Sequence, residues 1–352
     1  MKRSAIGLLG KGYTISQERF EEYKKRIPLP LIQLVLTNYC SHGCWYCNQG
    51  SPYILDKSSV IDSMGESAYI AEVLKLAGQC TCEYLLFGGE PLDHPSCVNI
   101  TTALLERGHT VKFQTNGTRV ARLDDLAAEH PEWRNRIKFQ PSFHIGDYLL
   151  KKDGITRITR YIQEYLPRMA RCGFKIEMIV VLTPHALKDP QLEQLLDIVL
   201  KRVETMDVDF EYRLVEYIGE MNGLQYPAAF TAGETARINY LRQKYQRLLD
   251  GKNAEELNQV NNELLLQGMP CFNMTRLIVV DARGNLRRCK TNAGILGQTA
   301  MCASDSIAPA RCPSPVCTCA SMGFGSSLQP HGISLGEYLR ELCEESPQPQ
   351  TA

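Results

Sequence analysis

The sequence predicts a parallel α/β fold, and three observations carry the prediction. Apolar or β-branched runs of strand length alternate with stretches of helical periodicity. Each run leads directly into a loop that holds the unusual residues of the chain. With 352 residues, 44% of them hydrophobic, the chain can bury a large core, enough for one large domain and a smaller one.

In chain order the strands are expected at 31–37, 83–87, 110–114, 136–142, 174–182 and 207–213. Helical patterns fall near 61–78, 95–107, 121–129, 154–171 and 189–203. Strand, helix, strand in repetition favours a parallel sheet with crossover helices. The six loops after the strands carry Cys40 to Cys47, Gly88 to Pro91, Gln114 to Gly117, Ser142 to His144, Thr183 to His185, and Val215 to Tyr217. In parallel architectures the carboxyl ends of the strands share one face, and ligands bind there.

The first loop is the most informative. Cys40, Cys44 and Cys47 follow the apolar run 31–37 with the spacing C-x3-C-x2-C. Such a loop gathers three thiolates on one side of a metal cluster, and three ligands on a four-iron cube leave one iron open. Zinc is the alternative, but a structural zinc site wants four protein ligands. The fourth candidates are poor: His42 lies inside the loop, and Cys80 and Cys82 are far along the chain.

A second signal follows the apolar stretch 84–87: Gly88, Gly89, Glu90 and Pro91. Two glycines permit close backbone approach, and carbonyls with a carboxylate offer acceptors to a cationic ammonium. An ordinary strand-to-helix turn is the alternative for the glycines taken alone. Together, the cysteine loop and the Gly-Gly-Glu-Pro turn resemble the radical S-adenosylmethionine superfamily. The resemblance implies an open, partial (β/α)6 barrel of TIM type. It also implies a [4Fe-4S] cluster on Cys40, Cys44 and Cys47, whose open iron is chelated by the methionine part of S-adenosylmethionine. The turn Gly88, Gly89, Glu90, Pro91 would receive the amino group, and Tyr46 would lie against the adenine. Asn116, Gln114 and Ser142 would meet the ribose or the methionine carboxylate, a match of position and polarity only.

His144 and His185 read more simply as surface or structural histidines near loops. Glu177, Glu216, Asp147 and Lys151 are all eligible as a general acid or base, and the sequence does not choose among them. Beyond residue 218 a loop with turn chemistry runs to Phe230, with Tyr226-Pro227 near the opening, and polar helical stretches follow at 231–250 and 253–266. A solvated helical hairpin is the simpler reading of those stretches.

A third constellation begins at Cys271, where the chain reads C-x12-G-x4-C to Cys289. The run 275–281, then 283–287, is a hairpin signal with its turn between Asp281 and Asn285. A hairpin would bring Cys271 and Cys289 together, and Cys312, Cys317 and Cys319 supply further thiolates. This segment is similar to the SPASM/twitch extensions of the superfamily. The longer cysteine run of a two-cluster SPASM domain is missing, so the resemblance implies one auxiliary [4Fe-4S] cluster, of twitch type. Five cysteines compete for at most four places, leaving one thiol spare, and structural zinc is the runner-up. Cys80, Cys82, Cys97, Cys172, Cys302 and Cys343 read as small buried hydrophobes.

The expected division is an extension over 1–30, the barrel over 31–218, a helical connector over 219–270, the auxiliary cluster domain over 271–325, and a helix and tail over 326–352. The chain holds 39 basic and 39 acidic residues, so no nucleic-acid or anionic-membrane partner is expected. The amino-terminal apolar run is too short for a signal peptide and no stretch has the length of a membrane span, which points to a cytoplasmic protein. The resemblance implies an oxygen-sensitive oxidoreductase that cleaves S-adenosylmethionine to a 5′-deoxyadenosyl radical and removes a substrate hydrogen atom. An electron donor such as flavodoxin or ferredoxin is implied as partner. Net oxidation or epimerisation of a small metabolite (sugar, aminocyclitol or nucleoside) is the expected outcome. Only about thirty residues precede the first strand, too few for a leader-recognition module. Maturation of a ribosomally made peptide is the alternative, and a non-catalytic iron-sulfur or zinc protein the reading from another class.

Overall fold

The computed structural model describes residues 31–47, 55–77, 81–150, 152–217, 219–245, 270–271, 277–287, 295–298 and 310–311. The chain divides into two compact units, residues 34–74 with 83–251, and residues 1–33, 75–82 and 252–352.

The first unit is a sheet of six strands in sequential order: β1 (Leu31–Thr37), β2 (Glu83–Gly88), β3 (Thr110–Thr115), β4 (Ile137–Phe143), β5 (Lys175–Leu182) and β6 (Asp209–Glu216). Pairing from β2 through β6 is parallel, for example Phe113 opposite Phe139 and Glu177 opposite Glu211. The arc is open rather than closed, an α/β partial barrel as the sequence predicts. Helices return the chain between strands: α1 (Val60–Met64), α2 (Glu66–Ala77), α3 (Cys97–Glu106), α4 (Asp124–Glu129), α5 (Ile145–Leu150), α6 (Gly154–Arg160), α7 (Leu166–Cys172), α8 (Pro184–Lys188) and α9 (Leu192–Val203). The single helix expected over 61–78 is two, because Gly65 takes φ +87° and ends α1. The one expected over 154–171 contains a π turn, Tyr161–Tyr165, between α6 and α7.

Alternation along the strands separates two faces. One is apolar and buried, with Tyr84, Leu86, Val111, Phe113, Phe139, Ile176, Met178, Val180, Tyr212 and Leu214. The other is charged, and its pairs cross from strand to strand or, for Arg213 with Glu211, run along β6. Lys138 Nζ lies 2.5 Å from Glu83 Oε2, and Lys175 Nζ 3.0 Å from Glu211 Oε1. Lys112 pairs with Glu177, and Arg213 Nε donates to Glu211 Oε2 over 3.0 Å. This face is where the strand runs deviate from the continuous apolar pattern of a sheet buried on both sides.

After β6 the expected loop is a β-hairpin, β7 (Gly219–Met221) against β8 (Leu224–Tyr226). Its two-residue turn is Asn222-Gly223, both at positive φ, the chemistry a tight hairpin requires. Then comes α10 (Ala232–Tyr245), started by a reciprocal cap: Thr231 Oγ1 accepts from Glu234 N, and Glu234 Oε2 accepts from Thr231 N. The helix is not wholly solvated. Ile238, Leu241 and Tyr245 are buried, and Arg242 donates to Leu214 O and to Glu216.

In the second unit β9 (Pro270–Cys271) pairs antiparallel with β13 (Ala310–Arg311), and β10 (Leu277–Val280), β11 (Asn285–Arg287) and β12 (Ile295–Gln298) form an antiparallel ladder. The expected hairpin is present between β10 and β11. Its turn is fixed by Asp281 Oδ1, which accepts from Arg283 N and Asn285 N, and by Gly284 at φ +77°. Among the described residues, no helix is long and apolar enough to cross a membrane.

Candidate active site at the cysteine loop

The cysteine loop leaves β1 at its carboxyl end and is held there from the loop that follows β2. Gly89 N donates to Thr37 O and Glu90 N to Tyr39 O, each over 2.8 Å. Ser41 N donates to Asp93 Oδ2, also over 2.8 Å. Within the loop Gly43 sits at φ +62°, and Cys47 N closes a turn onto Cys44 O. Cys40, Cys44 and Cys47 form no disulfide, and each is partly exposed.

The two glycines of the turn after β2 serve this packing. A Cβ on Gly88, which has φ +125°, would stand 2.5 Å from Thr37 O, and one on Gly89 would overlap the Tyr39 carbonyl. Their small size therefore lets the two loops touch. Gly89→Ala is expected to force the cysteine loop outward and to lower stability by about 1–3 kcal/mol, the usual cost of overpacking; chemical denaturation of the metal-free protein would measure it.

Glu90 is fully buried and turned inward. Its Oε1 accepts from Thr115 Oγ1 (2.7 Å) and Leu92 N (3.1 Å), and its Oε2 from Asn116 N (2.7 Å). Burial pushes its carboxyl up to about 7, against the pull of those hydrogen bonds. The carboxylate is thus committed to tying the β2 and β3 loops together, not presented to an ammonium group. Pro91 opens a 3-10 turn, Pro91–Asp93, capped by that same Glu90 side chain.

Of the residues at the later strand ends, Asn116 is brought against the loop, its Nδ2 3.7 Å from Cys40 Sγ. Gln114 lies opposite Gln140 in the sheet, and its Oε1 is buried with no hydrogen-bond partner among the described residues. Ser142, on β4, is opposite Ile179 and shares a strand face with Gln140. The Tyr46 hydroxyl is 2.8 Å from His144 Nδ1, and its ring belongs to a cluster with Tyr217 and Tyr226 against which Cys44 packs.

His144, expected as a surface or structural histidine near a loop, lies against the cysteine loop. Its Nδ1 is also 3.4 Å from Cys44 Sγ, and its ring stacks on His42 at 4.8 Å. The donor atoms of His42, Cys44 and His144 all lie within 4.8 Å of one another. His185, by contrast, lies against the exposed ring of Trp45, with ring centroids 5.6 Å apart. Position after β4 was the sole signal for His144, and its partner is a hundred residues away.

Glu177 is not suited to act as a base. Burial alone would push its carboxyl up, but Lys112, Arg213 and Lys175 outweigh that and hold it at about 2. A carboxylate this firmly ionised takes up protons poorly near neutrality. Glu216 is engaged by Arg242 over 2.7 Å. Lys151 and the side chain of Asp147 lie outside the described residues.

Burial raises the Cys97 thiol to about 12 and the Cys172 thiol to about 11, and Cys82 is equally buried, so these three pack as apolar groups. At the carboxyl-terminal set, the backbone of Cys271 lies opposite Ala310, directly before the Arg311-Cys312 step. Cys289, Cys312, Cys317 and Cys319, like Cys80, Cys302 and Cys343, lie outside the described residues.

Residues 34–139 match the family model described as the Radical SAM superfamily. No curated protein matches the chain. Among solved structures it is similar in fold to SuiB of Streptococcus suis, at 14% identity, covering 87% of this chain and 75% of that one, with a TM-score of 0.52. The SuiB structure bound to S-adenosylmethionine gives 14% identity, the same coverages and a TM-score of 0.51. The one bound to the precursor peptide SuiA gives 14%, coverages of 82% and 70%, and 0.47. The thiol donor set fits the group that the family uses, since three partly exposed sulfurs outside any disulfide occupy one loop with an amide aimed at one of them. Over residues 34–139 the chain thus carries a match to the radical SAM superfamily, and its open α/β arc agrees with the fold of the similar structures.

Proposed function

We infer that the protein removes a hydrogen atom from an unactivated C–H bond of its substrate, in a net oxidation or epimerisation of a small metabolite. The observation that supports this reading is the placement of three cysteine thiols outside any disulfide beside the Gly88-Gly89 turn, at the carboxyl end of β1. Cys40, Cys44 and Cys47 would hold a [4Fe-4S] cluster. When bound and reduced, it supplies the electron that splits S-adenosylmethionine into methionine and a 5′-deoxyadenosyl radical.

The chain's own residues would bind and position. Backbone carbonyls of the Gly88 to Pro91 turn would take the methionine ammonium, because the Glu90 carboxylate is spent internally. Gln114, with its unpartnered Oε1, would accept a ribose hydroxyl, and Ser142 would bind beside it. Tyr46 would lie along the adenine. Asn116, by contrast, has its side-chain amide on Cys40 and its Oδ1 on Thr118. The aromatic cluster around Tyr46 would keep solvent hydrogen away from the substrate. Four of Cys271, Cys289, Cys312, Cys317 and Cys319 would hold an auxiliary [4Fe-4S] cluster, and a flavodoxin or ferredoxin would supply electrons. A ribosomally made peptide is the competing substrate class.

A second reading has an observation of its own: His42, Cys44 and His144 converge closely enough to hold one divalent ion such as zinc. Metal analysis separates the two. Protein reconstituted anaerobically should carry iron and sulfide at its cysteine loop and bind S-adenosylmethionine in a direct titration; stoichiometric zinc, with no binding of S-adenosylmethionine, would establish the second reading instead.

A further inference from the structure

The side chain of Asn116 is locked in one orientation. Its Oδ1 accepts from Thr118 N over 2.9 Å and from Thr118 Oγ1 over 2.6 Å. A backbone N–H is a donor without ambiguity, so the oxygen end of the amide is identified by its partner and the NH2 end must point the other way. It points at Cys40 Sγ, 3.7 Å away. The residue is 5% exposed, and its backbone N–H is anchored on Glu90 Oε2. Backbone N–H groups of His42 and Gly43 also donate to the same sulfur. Cys40 therefore receives hydrogen bonds from both its own loop and the β3 loop, and only the last comes from a side chain that can be replaced.

We propose that Asn116 is a positioning residue for the electron step rather than a ligand of the ribose: its amide N–H donates to the Cys40 thiolate and raises the reduction potential of the cluster held there. The proposal rests on the cysteine-loop reading above. A hydrogen bond to a ligating sulfur draws charge from the thiolate, so the extra electron of the reduced cluster is stabilised. The Thr118 bonds exist to aim the amide, and Glu90 ties that aim to the Gly-Gly turn.

The test is an anaerobic redox titration of the reconstituted protein, followed by electron paramagnetic resonance of the reduced cluster, with iron content measured in parallel. Asn116→Asp keeps an oxygen for Thr118 but removes the donor. Its midpoint is expected to fall so that the reduction equilibrium shifts at least about tenfold, which is about 59 mV for one electron. Asn116→Ala adds no charge and should shift the midpoint in the same direction, and an exchangeable-proton coupling to the reduced cluster should disappear in both. Thr118→Val, which removes one bond to Oδ1 and leaves the amide in place, should keep the wild-type midpoint. Equal midpoints in wild type and both Asn116 variants, with iron retained, would overturn the proposal alone. A wild-type protein that binds no iron at Cys40 would overturn the cysteine-loop reading and this inference with it.

Discussion

Changing Cys40, Cys44 and Cys47 together to alanine is expected to abolish cleavage of S-adenosylmethionine, with no 5′-deoxyadenosine above background. The reason is coordination rather than stability. Three thiolates are the whole protein share of a four-iron cube whose fourth iron must stay open, and among the described residues no neighbouring thiol is placed to replace them. Cys82 and Cys97 are buried, with Cys97 held protonated up to about 12. The triple variant should still fold, since the three side chains are partly exposed and form no disulfide. If the carboxyl-terminal cysteines hold a second cluster, iron should fall from about eight to about four per chain rather than to zero. Zero iron with a folded chain would mean that the second set holds none.

Glu177→Gln is expected to be the most destabilising single change in the barrel, by about 3–5 kcal/mol, because it leaves Lys112 as a buried charge without its carboxylate. The two side chains are 14% and 7% exposed, so water gives them little relief. Arg213, 3.9 Å from Glu177, loses part of its compensation as well. The double change with Lys112→Met should recover much of the loss, and a double-mutant cycle would give the coupling. The wild-type protein should show the same pair in its pH dependence. Glu177 is held at about 2, below the ordinary value of 4.5. Its contribution is therefore fully present above about pH 4.5 and lost as the pH falls through about 2. The loss amounts to about 3 kcal/mol at about 1.4 kcal/mol per pKa unit. Urea denaturation between pH 2 and 5 should show that slope in the wild type and lack it in Glu177→Gln.

The barrel was legible in the sequence because its strands are contrasting local patterns. The run 31–37 is strand from end to end as expected; three others shift by one residue at one end, 136–142 shifts by one at both ends, and 207–213 by two at its start and three at its end. What was not legible is long-range. Lys112, Glu177 and Arg213 each look like an ordinary polar residue in a half-apolar strand, and only the parallel register brings them into one network. The inward turn of Glu90 depends on donors at Leu92, Thr115 and Asn116, of which the last two come from another strand end. His144 reaches Cys44 for the same reason. The hairpin after β6 is a different kind of miss, because its Asn222-Gly223 signal is local and was passed over in favour of a loop. Gly65 and the π turn at Tyr161–Tyr165 interrupt helices whose apolar period runs on through them.

The central claim is that the first cysteine loop leaves a coordination position for a nucleoside sulfonium and drives its cleavage. It is tested most directly by incubating anaerobically reconstituted protein with dithionite and S-adenosylmethionine and quantifying nucleoside products. The account predicts 5′-deoxyadenosine and methionine in equal amounts, both lost in the cysteine variant. Iron-loaded protein that gives neither product would contradict it.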